Sequence, residues 1–120
     1  MNQNPEHAGV SLPGDEGYVL PKPPYMAVIF VSLRRENDHG YAEMAARMEQ
    51  LAQQQEGFLG LTHARVAGKG ITISYWTDRQ AIRNWKSQVD HLQAQKLGRS
   101  DWYETYMVQI AEVGEAYNGP

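Results

Sequence analysis

Cysteine is absent from this chain. That removes disulfides, thiolate nucleophiles and Cys-ligated zinc or iron–sulfur sites together. Acid–base chemistry then falls to the histidines, of which there are four: His7, His39, His63 and His91. Imidazole titrates near neutral pH, so a positioned histidine suits the work of a general base. His7 falls in an irregular N-terminal stretch and His39 in a polar turn, and both are expected in solvent. No pair of histidines has ligand spacing with a nearby carboxylate, as in His-Glu-x-x-His, so no metal site is expected. His91 is the leading candidate base and His63 the second.

Aromatic side chains are the other chemistry-bearing group. Trp85 can be read as a core anchor or as a flat wall for an aromatic ligand, and one ring can serve both ends. Tyr75, Tyr103 and Tyr106, with Trp76 and Trp102, are expected to give the domain an aromatic-rich end. Large β-formers there can pack strands, or a phenol can donate to a substrate oxygen. Tyr75, Tyr103, Tyr106, Trp85, Phe30 and Gln95 are the expected pocket-lining residues; Phe30 and Gln95 enter through the resemblance described below.

The positioning elements follow from hydrophobic periodicity. Tyr25–Leu33 is β-rich and apolar on both faces, as in a strand buried twice. Asp38 is a candidate helix N-cap. Tyr41, Met44, Ala45, Met48, Leu51 and Ala52 then recur on one helical face, with Glu43, Arg47, Glu49 and Gln50 largely off it. Gly57 is placed to end that helix. Phe58–Val66 and Ile71–Trp76 read as an antiparallel hairpin around a turn bracketed by Gly68 and Gly70. Thr77 or Asp78 caps a second helix whose stripe is Ala81, Ile82, Trp85, Val89 and Leu92; Gly98 breaks it. His91, six residues after Trp85, leaves that face unless a break near Ser87–Val89 turns it inward. Trp102–Ala116 reads as a long last strand.

Residues 1–24 read differently. They hold Pro5, Pro13, Pro21, Pro23 and Pro24 of the chain's six prolines. Proline removes backbone donors and fixes φ, so the stretch is expected to be a flexible lead-in ahead of a domain spanning 25–117. The alternative is an arm laid across a partner subunit through Tyr18, Val19 and Leu20.

The order β-α-β-β-α-β is the split βαβ pattern. It predicts an α+β, ferredoxin-like, four-stranded antiparallel sheet with both helices on one face. The other face has no cover within one chain, yet the first and last strands of the pattern carry apolar side chains on both faces. Monomers seldom expose such a surface, so two sheets are expected to pack face to face in a homodimer, as a dimeric α/β barrel.

Several residue runs carry a family resemblance. They are Gly70–Trp76, then Ala81-Ile82 with Trp85, then His91–Gln95, Gly98-Arg99 and Trp102-Tyr103, with Glu56–Gly60 after the first helix. Together they resemble the antibiotic biosynthesis monooxygenase domain family over roughly residues 25–117, with His91 the only histidine inside these runs. The resemblance implies cofactor-free oxygenation in its oxygenase branch. There an electron-rich phenol or anthrone is deprotonated and reduces dioxygen directly, which asks for a base, a dry pocket and oxyanion donors. In the haem-degrading branch an Asn, Trp and His line the pocket. By position the Trp matches Trp85, the Asn falls near Phe30 and the His near Gln95. Phenylalanine cannot hydrogen-bond to bound oxygen, and glutamine is not an ordinary haem ligand, so no haem and no other cofactor is expected.

Two functions of different class stay open. One is a small monooxygenase-like enzyme acting on an electron-rich aromatic or quinol-type molecule. The other is a non-catalytic small-molecule-binding or stress-associated dimer of the same fold. Net charge is −3 with no basic stripe, so neither nucleic acid nor an anionic membrane is an expected partner. No signal peptide or spanning run is visible, and a cytoplasmic location is expected.

Overall fold

The computed structural model describes residues 9–35, 40–94 and 103–120. Its elements in chain order are β1 (Val10–Leu12), β2 (Asp15–Leu20), β3 (Tyr25–Arg34), α1 (Tyr41–Gln53), β4 (Phe58–Val66), β5 (Lys69–Trp76), α2 (Arg79–Ala94) and β6 (Tyr103–Val113). The last four strands form one antiparallel sheet in the order β4-β5-β3-β6. This is the ferredoxin-like arrangement expected from the pattern. Asp38, and Gly98, Arg99 and Trp102, lie outside the described residues.

Period-two alternation assigns the faces. Met26, Val28, Phe30, Ser32 and Arg34 share one face of β3, beside Trp76, Ser74, Thr72 and Gly70 of β5. That face packs on the helices: Met26, Val28 and Trp76 form one core cluster with Ala52 of α1 and Ala81 and Ile82 of α2. Met44 and Leu92 seal the helices against each other. The α2 N-terminus is capped by Asp78, whose Oδ1 accepts from the Ala81 amide at 2.8 Å. After α1 the chain turns through Gly57 at φ +95°, where a Cβ would sit 2.6 Å from the Ala81 Cβ. Only glycine fits both demands. The β4–β5 turn centres on Ala67 and Gly68 rather than on a Gly68–Gly70 bracket, with Val66 paired to Lys69.

The N-terminal stretch departs from the expected irregular lead-in. Val10–Leu12 and Asp15–Leu20 pair as an antiparallel hairpin. The described prolines fall outside these strands, Pro13 in the turn and Pro21, Pro23 and Pro24 after Leu20, so their missing donors cost no ladder bond. Leu12 and Leu20 bury against Tyr25, Leu59, Tyr75 and Val113 of this same chain. Tyr18 sets its ring edge-on to Phe58 at 5.8 Å, and Thr62 donates to Asp15 Oδ2 at 2.8 Å. The hairpin thus caps one end of the sheet face away from the helices. The rest of that face keeps apolar groups in the open, with Leu33, Ile71 and Met107 each at least 40% exposed. No helix among the described residues is long and apolar enough to cross a membrane.

Candidate functional site

A cavity of about 900 Å³ lies between the sheet and the two helices. Small side chains make the room. Thr72 and Ser74 on β5 and Ala45 on α1 line it, where larger residues would take up space. Phe30, Tyr41, Tyr103 and Tyr106 line one end, and Trp85 of α2 lines the other. The side along β6 is open, because the helices do not reach over Tyr106, Val108 and Ile110, which are 61%, 49% and 44% exposed.

The aromatic end is a packed cluster. Phe30 meets Tyr103 edge-on at 5.5 Å and Tyr106 at 5.6 Å, and Tyr41 meets Tyr103 edge-on at 5.7 Å. Burial, reinforced by a hydrogen bond to Tyr41, pushes the Tyr103 phenol far above its ordinary value, while Arg65 and Arg34 pull it the other way. Trp85 packs against Trp76 with ring centres 5.2 Å apart and planes tilted by 34°, and its indole N–H donates to the Met48 carbonyl at 3.2 Å. That donor is therefore committed, and Trp85 offers a ligand its ring face. Trp76 is fully buried and donates to Ser74 Oγ at 2.9 Å.

Of the residues expected to line a pocket, Phe30, Trp85, Tyr103 and Tyr106 come together here, and His63 stands on the same wall. Tyr75 does not. It alternates onto the opposite face of β5, edge-on to Tyr25 at 5.9 Å under the hairpin. His91 does not either. α2 runs unbroken from Arg79 to Ala94, so His91 stays exposed in a separate groove with Arg47, Leu51 and Gln88. Gln95, His7 and His39 lie outside the described residues. Among the described residues no group of three His, Asp or Glu side chains is arranged to hold a metal ion.

Arg34, Arg65 and Glu49 are among the lining residues that the sequence did not single out. Arg34 and Arg65 flank Tyr41, with guanidinium carbons 4.4 and 5.5 Å from its ring centre. Strand alternation placed Arg65 beside His63, two residues on, and was the available signal. Glu49 is half-buried on the α1 wall rather than off the buried face.

Comparison with known proteins places these features. The family profile described as antibiotic biosynthesis monooxygenase matches residues 24–97. The uncharacterized protein YqjZ of Bacillus subtilis is 52% identical over 94 residues, covering 78% of this chain and 82% of YqjZ. SnoaB, a cofactor-independent oxygenase from Streptomyces nogalater, superposes with TM-score 0.64 at 17% identity, over 77% of this chain and 95% of SnoaB. A protein of unknown function from Nitrosomonas europaea superposes with TM-score 0.63 at 10% identity, over 81% of this chain and 96% of its own.

Proposed function

Because the chain belongs to the antibiotic biosynthesis monooxygenase family, we propose that it is a small cofactor-independent oxygenase of electron-rich aromatic or quinol-type molecules. The observation that carries this reading is the helix-side cavity, walled by flat aromatic groups with one imidazole among them. Phe30 and Tyr106 at one end and Trp85 at the other offer flat surfaces to a planar ring. His63, on the cavity wall, takes a proton from the bound phenol or activated methylene. The resulting anion is the reductant and dioxygen the oxidant. For an anthrone-like methylene, one oxygen atom becomes the new carbonyl and the other leaves as water. The Tyr41 and Tyr103 hydroxyls stand at the end where oxyanion charge would gather.

No cofactor is needed, because the substrate supplies the electrons; the likeness to SnoaB supports this. Phe30 argues against haem degradation, since its ring packs on two tyrosines where that chemistry wants a donor. We further propose that the protein works as a homodimer, its open sheet face covered by a second copy.

Oxygen uptake with anthrones, phenols and naphthohydroquinones tests the reaction. Uptake that depends on the protein is expected, with His63→Gln lowering the rate about 10²-fold. His63 is exposed, so this variant is expected to keep wild-type stability within about 0.5 kcal/mol. Tight ligand binding without any oxygen uptake would turn the reading to a non-catalytic binding protein.

A further inference from the structure

Taking the helix-side cavity as the ligand chamber, on which this rests, we propose that Arg65 makes its β4–β5 end a subsite for a carboxylate borne by the aromatic ligand. Arg65 is built into the wall. It pairs with Gly70 across the sheet, and the guanidinium occupies the space a Cβ at Gly70 would need. Its Nη1 donates to the Gly68 carbonyl at 3.1 Å and its Nη2 to the Tyr41 hydroxyl at 3.2 Å. Both partners are neutral. Among the described residues no carboxylate pairs with Arg65, although Glu49 and Glu104 line the same cavity.

A half-buried guanidinium held by a carbonyl and a phenol keeps its charge uncompensated and has donors to spare. Its planar fork matches a carboxylate. Behind the wall Ser32, paired with Gly70, buries a hydroxyl that has no hydrogen-bond partner among the described residues. Phe30, Tyr103 and Tyr106 stand next to these groups and would hold the ring that carries the acid. A neutral phenol would leave the charge unmatched; an aromatic acid would satisfy it.

The test is calorimetric titration of the full chain with a hydroxynaphthoate and with the naphthol that lacks its carboxylate. The acid is expected to bind at least about tenfold more tightly, with the advantage shrinking as salt rises. Arg65→Met is expected to erase the advantage while naphthol binding is kept, and Arg65→Lys to retain part of it. If Arg65→Met does not fold, the wild-type ratio, its salt dependence and Arg65→Lys decide. Equal wild-type affinities, or a preference that survives in folded Arg65→Met, overturn the subsite and leave the chamber standing. Failure of both ligands to bind overturns the chamber with it.

Discussion

Trp85 shows how one side chain can be structural and ligand-facing together. One side packs on Trp76 and the N–H is spent on α1, while the remaining surface lines the cavity. Truncation therefore removes real packing but not that of a fully enclosed ring. Trp85→Ala is expected to cost about 2–4 kcal/mol in urea unfolding. A loss under about 1 kcal/mol would mean that the ring hangs in the cavity without support. Tyr103 is the other residue with a measurable signature. Its folded-state phenol holds the proton more tightly than the unfolded one, chiefly through burial. That contribution to stability is complete below about pH 10 and is lost as pH rises above it. Unfolding measured from neutral to strongly alkaline pH should show wild type losing stability faster than Tyr103→Phe. Some slope should remain in the variant, since burial also raises Tyr25 and Tyr75. Parallel curves would show that Tyr103 is not held in this environment.

At the scale of elements, the N-terminal hairpin is the piece whose role differs most from its composition. Proline and glycine content argues for an irregular segment, yet Leu20 is 2% exposed and sits over Gly60 of β4. Leu20→Ala is expected to cost about 2–4 kcal/mol. A cost below about 0.5 kcal/mol would show that the hairpin detaches in solution and contributes nothing to the core. Strand alternation is the second lesson at this scale. His63 and Arg65 reach the cavity because they share the helix-side face of β4. Tyr75 misses it because a one-residue step in β5 sends the ring to the other side.

For the whole molecule, the question is what lies against the open sheet face. Leu33, Ile71 and Met107 are exposed there, beyond the end that the hairpin covers. A second copy would bury them about a two-fold axis. Sedimentation equilibrium at micromolar concentration is expected to give twice the 13.6 kDa chain mass. Ile71→Lys with Met107→Glu should yield a folded species of single mass, because both side chains are already partly in solvent. A wild-type monomer would remove the dimer and leave the cavity reading intact, since every described lining residue belongs to one chain.

From residue 25 onward, element order, strand boundaries to within a few residues and the buried helix stripes were legible from periodicity, because alternation and the 3.6-residue turn are local properties of the chain; the hairpin ahead of them was not. Phe58–Val66 emerged with the same limits. The family was legible too, because its motifs follow the same order as those elements. The destinations of individual side chains were not. Whether His91 turned inward depended on helix continuity, and the exposure of β6 depended on how far the helices extend. Arg65 became a cavity residue only because Gly70, on the neighbouring strand, left it space. Such facts rest on contacts between residues far apart in the chain, which no local pattern encodes, and the tertiary fold alone decided them.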